Sequence, residues 1–212
     1  MLLSKHDCLY ADAHLIVAVK PTGLLAVPGR GAGKQDCLSA RLAAEFGEIH
    51  IVHRLDQATS GLMVFARNLT ALKHLQHQFS ERLVNKTYEA VIHGKPEQLN
   101  FSVDLPLMAD WPNRPKQKVD IENGKPSLTH VEVLTFNGVT HTSRVRLTPV
   151  TGRTHQLRVH LKTIGHPIVG DGLYGSQPLS DEASRLMLHA TRLALDHPIT
   201  SERMRFDSAP HF

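Results

Sequence analysis

The stretch HVEVLTFNGVTHTSRVRLTPV, residues 130–150, limits the fold more than any other part of the chain. Its alternating β-formers break at Asn137-Gly138, a dipeptide suited to the positive φ angles of a tight hairpin turn. The stretch predicts two adjacent antiparallel strands. In the second, Val145 and Leu147 face one way and Arg144 and Arg146 the other. Further strands are expected at LIVAV (15–19), GLMVFAR (61–67), KTYEAVIHG (86–94) and RLMLHATRLAL (185–195).

Helices fall between these strands. Leu38, Leu42 and Phe46 share a helical face, with Asp36 as the expected cap and Gly47 as the stop. Leu72, Leu75, Phe79 and Leu83 form a second stripe, behind Thr70 as the expected cap. Leu157, Leu161 and Ile164 form a third within residues 151–165, closed by Gly165. Residues 95–128 are rich in Pro, Asn and Lys and read as a long excursion, a kind of segment that is often functional. The order is mixed, which points to an α+β fold and not to a doubly wound sheet. The 212 residues fit one large domain or two small ones and can bury a real core.

Charge narrows the choice of partner. The formal net charge is +4, a mild lean toward nucleic acid. Its distribution says more. Between Val133 and Gly170 there is no acidic residue, while Arg144, Arg146, Arg153, Arg158 and Lys162 all fall there. WPNRPKQK (111–118) is also acid-free and holds Arg114, Lys116 and Lys118. Two such blocks favour a polyanion over ordinary solvated charge. No apolar run approaches the ~20 residues that span a bilayer. The segment MLLSKHDCLYADAHL has no long apolar region before a cleavage site and reads as no signal peptide. Two cysteines, Cys8 and Cys37, fit a reducing cytoplasm.

Several chemistries lose their footing. His50 with His53, His74 with His77 and His155 with His160 lack a third ligand at metal spacing. Ser60 sits in TSGL and not in a nucleophile elbow. Neither a G-x-G-x-x-G after a strand nor a phosphate-binding loop occurs. What remains is the carboxylate of HRLDQATSGL (53–62). Asp56 ends a short apolar run where a turn begins. Spacing leaves it open between a turn-capping aspartate, a weak surface ion pair with Arg54, and a carboxylate held ready for chemistry. If the strand persists, Arg54 and Asp56 point to one side and Leu55 to the other. Arg153, in the glycine-containing turn TGRTHQ, is a second arginine suited to holding a carboxylate ionised.

HRLDQATSGL, KTYEAVIHG, TGRTHQLRVHL, GHPIVGD and LMLHA stand in the order and spacing of the RluA-type RNA pseudouridine synthases, which this chain resembles from about residue 9 to its end. KPTGLLAVPGR (20–30) resembles the family's N-terminal segment. DLPLMADWPNRPKQKV (104–119) resembles the dual-specificity branch, which acts on tRNA and large-subunit ribosomal RNA. The resemblance implies a pseudouridine synthase fold: a mixed, largely antiparallel sheet with flanking helices and loops and a central cleft. It also implies one catalytic domain over residues 1–212, with no separate N-terminal RNA-binding domain expected. It implies an isomerase that turns uridine into pseudouridine with no cofactor and no metal.

By the same resemblance Asp56 is the essential aspartate, acting by covalent attack or by taking a ribose proton. Tyr88 is the active-site tyrosine, and Arg153 the arginine that pairs with the aspartate. Leu188 lines the uracil pocket. Chemistry on a stacked base requires flipping it out, and Arg54 is the side chain expected to fill the space it leaves. Arg114, Lys116 and Lys118, with Arg144 and Arg146 behind them, are the candidate phosphate contacts. The implied substrates are a tRNA anticodon stem-loop and a similar hairpin of 23S ribosomal RNA. The alternatives are an enzyme for only one of these RNAs, or a non-catalytic RNA-binding chaperone. No membrane and no DNA are expected as partners. The lack of heptads or a large apolar stripe favours a monomer.

Overall fold

A computed structural model describes residues 8–175 and 183–212. The segment read as lacking a signal peptide begins in residues 1–7, outside the described residues. The chain divides into two compact units, residues 1–86 with 190–211, and residues 87–189 with Phe212.

The first unit opens with β1 (Cys8–Ala11) and β2 (Leu15–Lys20), an antiparallel pair. Helix α1 (Leu38–Phe46), the short β3 (His50–Ile51), β4 (Ser60–Ala66) and helix α2 (Leu69–Ser80) follow. β2 and β3 both pair antiparallel with β4. Every residue of β4 is buried, as expected of a continuous apolar run in a central strand. Leu15, Val17, Leu62, Val64 and Ala66 pack with Ala71 and Leu75 of α2 in one core cluster. Each buried Leu or Val among them contributes roughly 1.5–3 kcal/mol.

Both expected helix caps shift. Cys37 is the N-cap of α1, its Sγ accepting from Ala40 N, while Asp36 makes a two-pronged bond to Arg41 instead. The helix begins one residue later than the Asp36 reading, so that Leu38 enters the core. Asn68 caps α2 by accepting from Ala71 N, which puts Thr70 inside the first turn. Leu83 leaves the expected stripe. The helix ends at Ser80 and Arg82 adopts a left-handed φ of 59°. That reversal exposes Leu83 and puts Val84 into the core.

The second unit is an antiparallel sheet in the order β5-β10-β9-β6. Its strands are β5 (Asn85–His93), β6 (Asn100–Asp104), β9 (Leu128–Asn137) and β10 (Thr142–Pro149). A separate hairpin joins β7 (Leu107–Ala109) to β8 (Gln117–Val119). The excursion expected over 95–128 therefore carries three short strands. Helix α3 (Gln156–Thr163) follows β10, and β11 (Leu188–Asp196) leads back to the first unit, where it pairs with β12 (Arg203–Asp207).

The hairpin foreseen over 130–150 is present with a longer turn. β9 and β10 meet at Asn137 and Thr142, and the side chain of Asn137 turns the chain by accepting from Val139 N and Thr140 N. Val145 and Leu147 are fully buried, as the alternation requires. Arg144 and Arg146 lie on the other face, across from carboxylates of the neighbouring strands. Arg144 pairs with Glu89 at 3.2 Å and Arg146 with Glu132 at 2.5 Å. The block is acid-free along the chain but not across the sheet.

No helix among the described residues is long and apolar enough to cross a membrane.

Candidate active site

In the first unit Asp56 sits in a loop built for rigidity. β3 ends at Ile51, so no strand reaches the aspartate and the expected strand alternation does not set its direction. Burial still alternates: Arg54 is exposed, Leu55 buried and Asp56 half-buried. The Asp56 carbonyl accepts from Thr59 N at 3.1 Å, closing a turn over Gln57-Ala58. The KPTG loop grips that turn. Lys20 is fully buried, and its Nζ donates to the carbonyls of Pro21, Leu24 and Gln57 at 2.8, 2.7 and 2.9 Å. An ammonium has three donors, and each finds an oxygen. Thr22 Oγ1 donates to Ala58 O, Gly23 N to Gln57 O, and Gln57 Nε2 to Gly23 O.

The other end of HRLD is pinned by His53. Its Nε2 accepts from Val64 N of β4 at 3.0 Å, and its ring stacks on Phe79 of α2, centroids 4.6 Å apart. Burial, helped by the charge of Lys86, pushes the His53 pKa down to about 3. A neutral imidazole with a bare Nε2 is the form that can accept from Val64.

Arg54 makes no side-chain hydrogen bond or ion pair among the described residues. The close sequence pair Arg54 and Asp56 is therefore not an ion pair. The arginine is left exposed beside a half-buried carboxylate.

Gly61, in the same motif, has φ +116°, and a Cβ there would lie 2.4 Å from the backbone of Ala190. Only glycine lets β11 approach β4 immediately after the Asp56 turn.

In the second unit Tyr88 lies on β5 opposite Leu147 of β10, half-buried, on the face shared with the fully buried Ala90 and Ile92. Leu188 opens β11 and is buried.

Arg153 is exposed in the turn before α3, and its Nε donates to Pro126 O at 3.2 Å. Gln156 shapes that turn from beneath. Its Oε1 accepts from Thr151 Oγ1 and Arg153 N, and its Nε2 donates to Leu128 O and to Thr129 Oγ1. His155 takes a left-handed φ of 54° to start the helix. One turn on, Arg158 forms a buried two-pronged bond to Asp171 at 2.8 and 2.7 Å. Burial alone would raise the Asp171 carboxyl. Arg158 and the backbone N–H groups of Leu173 and Tyr174 outweigh it and hold the pKa below the usual range. The Tyr174 hydroxyl meets His155 Nδ1 at 2.6 Å and accepts from Gln117 N at 2.8 Å. Tyr174 thus ties the Arg153 turn to the β7–β8 hairpin.

That hairpin carries the three expected phosphate ligands. Arg114 and Lys116 make no ion pair among the described residues. Lys118 is 3.4 Å from Asp120, a surface pair worth little and readily exchanged for another anion.

The supporting roles of Lys20, His53, Gln156 and Tyr174 were not read from sequence, where His53 was weighed only as a metal ligand. Lys20 had a signal: a lysine ending a run of buried residues and leading into a Pro-Thr-Gly turn. The other three act through tertiary contacts that local pattern does not display.

Comparison with known proteins adds a family. The model of the RNA pseudouridylate synthase family matches residues 14–163. The chain is similar to the dual-specificity RNA pseudouridine synthase RluA of Escherichia coli K12, 46% identical over 96% of this chain and 93% of that one. It is 48% identical to the RluA of Vibrio parahaemolyticus, over 91% of this chain and 78% of that one. Among solved structures, the human RNA pseudouridylate synthase domain containing 1 covers 99% of this chain, with 86% of its own length matched. The TM-score is 0.81 at 29% identity.

Proposed function

Because the chain belongs to the RNA pseudouridylate synthase family, an RNA isomerase whose product is pseudouridine, we propose that Asp56 is its catalytic carboxylate. The reaction breaks the bond from ribose C1′ to uracil N1. The base turns, C1′ bonds to C5, the C5 proton leaves and N1 gains one, so that the product is an isomer. Asp56 opens this sequence by attacking the nucleoside or by taking a ribose proton. Tyr88 stacks on the uracil, and its hydroxyl assists loss of the C5 proton. Arg153 holds the Asp56 carboxylate, and Leu188 gives the uracil an apolar wall. Arg54 takes the space of the flipped base, and Arg114, Lys116 and Lys118 hold phosphates.

The observation that carries this reading is the Asp56 loop. The fully buried Lys20 and the half-buried His53 fix its backbone on both sides. Such rigidity is what a positioned reactive group needs.

The substrates in this reading are a tRNA anticodon stem-loop and a similarly folded hairpin of 23S ribosomal RNA. They are suggested by the resemblance of residues 104–119 to the dual-specificity branch and by relatives named dual-specificity enzymes. The protein works as a cytoplasmic monomer and as one catalytic domain. In support, the family match runs through the boundary between the two units.

Asp56→Asn tests the assignment. Pseudouridine formation, read by chemical mapping of the RNA, is expected to vanish while RNA affinity stays within severalfold. Near-normal turnover would refute it. Mapping RNA from cells with and without the gene tests the two substrates, since loss at only one RNA would leave a single-substrate enzyme.

A further inference from the structure

Trp111 is the only tryptophan of the chain and is 63% exposed. It sits in the loop that joins β7 to β8, within WPNRPKQK. Its ring is not loose. The Arg114 guanidinium covers one face, with Cζ 3.1 Å from the ring centroid. The loop beneath is closed by its own hydrogen bonds, from Asp110 N to Lys116 O, Asn113 N to Asp110 O, and Lys116 N to Asn113 O. Its base is fastened by Tyr174 to Gln117 N.

A large aromatic mostly left in water on a hairpin adds little to the core, and a cation backs one of its faces. Around it are Arg114, Lys116 and Lys118, so the ground is favourable to a polyanion. We propose that Trp111, backed by Arg114, is a stacking platform for one unpaired base of the RNA substrate, a base other than the target uridine. The assignment rests on the reading of this hairpin as an RNA contact and deepens it. Arg114 serves first to hold the ring and lend it positive character, and only second as a phosphate ligand.

The chemistry fits the partner. Every base has a π face, and base–aromatic stacking tolerates any sequence while requiring that the base be unpaired. An RNA loop with splayed bases offers this, and a duplex does not. Selection of looped RNA follows from the platform itself, without hydrogen-bonded reading of base edges.

Two measurements on the intact protein test it. Because Trp111 is the sole tryptophan, its fluorescence reports the platform directly. Titration with a synthetic anticodon stem-loop RNA is expected to quench it and shield it from acrylamide, while a fully paired duplex of the same stem does neither. The second measurement is affinity, by anisotropy of labelled RNA. Trp111→Ala is expected to weaken stem-loop binding by about 5- to 150-fold, the range of one stacked base, and Trp111→Phe to retain most of it. An abasic substitution at one loop position should weaken the wild type by a similar factor and leave Trp111→Ala unaffected. The exposed ring can be removed without loss of fold, and an unchanged thermal midpoint verifies that.

Unchanged affinity of Trp111→Ala, or no abasic position coupled to it, overturns the platform. The salt slope of Lys116→Ala then still reports whether the hairpin contacts RNA, so the two readings fail separately. Absence of any structured-RNA binding by the wild type overturns both.

Discussion

Replacing Lys20 by methionine keeps the length of the side chain and removes its ammonium from a fully buried site. Three hydrogen bonds disappear, to Pro21 O, Leu24 O and Gln57 O. Bonds with a charged donor contribute about 1.5–3 kcal/mol each, so the gross loss is roughly 4–9 kcal/mol. Two effects reduce it. Burying an ammonium costs several kcal/mol, which the variant no longer spends. Gln57 O also keeps Gly23 N as a partner. The net destabilisation is then about 2–4 kcal/mol. For a chain of this size each kcal/mol moves the thermal midpoint by roughly 2–4 °C, which gives a fall of about 4–16 °C in a calorimetric scan. The loop that loses its clamp is the one after Asp56. Below the unfolding range the variant should therefore lose at least about tenfold in kcat, while RNA affinity stays within severalfold. Thr22→Val, which removes only the bond to Ala58 O, should shift both quantities in the same direction by less. A Lys20→Met protein with an unchanged midpoint and unchanged kcat would refute the claim that this lysine positions the aspartate.

Acid stability depends on Asp12. Burial would raise its carboxyl, but Leu15 N, His14 N, the Tyr10 hydroxyl and His197 together lower the pKa from 3.8 to about 2. A depressed carboxylate contributes stability above its unfolded pKa and loses it as pH falls through the folded one. Wild type should thus lose stability as pH falls from 4 to 2, by less than the whole shift implies because water screens this carboxyl, and Asp12→Asn should flatten that part of a urea-unfolding series. Gly61→Ala should fold poorly or lose more than about 4 kcal/mol, because its Cβ meets backbone and its φ is left-handed; a soluble variant with a wild-type midpoint would contradict the close approach of β11. Arg114→Ala with Lys116→Ala should reduce the slope of log Kd against log salt by about 1–2, and an unchanged slope would remove the hairpin from the RNA interface. Arg144→Ala should change that slope less than the hairpin pair does, since the half-buried Glu89 lies against it.

Strand pattern was the most legible part of the sequence. The alternation of Val145 and Leu147 against Arg144 and Arg146 appears in the structure as read, and the run at 61–67 forms the wholly buried β4. Helix ends were less legible because Asp36 and Asn68 compete with neighbours able to do the same work. Which residue caps depends on where the first apolar side chain must enter the core. The acid-free block did not reveal the surroundings of Arg144 and Arg146, since pairing across strands brings in carboxylates from β5 and β9 that linear spacing does not show. The family and its activity followed from motifs in register. The support of the Asp56 and Arg153 turns did not, because one histidine or glutamine reaching a distant backbone group leaves no periodic trace.

Gln156 has a consequence of its own. Its amide uses both oxygen lone pairs and both hydrogens within a buried site. Such a group has no proton to gain or lose across the working range, so the turn that presents Arg153 keeps its shape whatever the acidity around it. It is also vulnerable to a change of one atom. Hydrolysis of the amide to an acid would turn two donors into acceptors facing the Leu128 carbonyl and the Thr129 hydroxyl. This single position is where chemical ageing of the folded protein would do the most damage to the Arg153 turn.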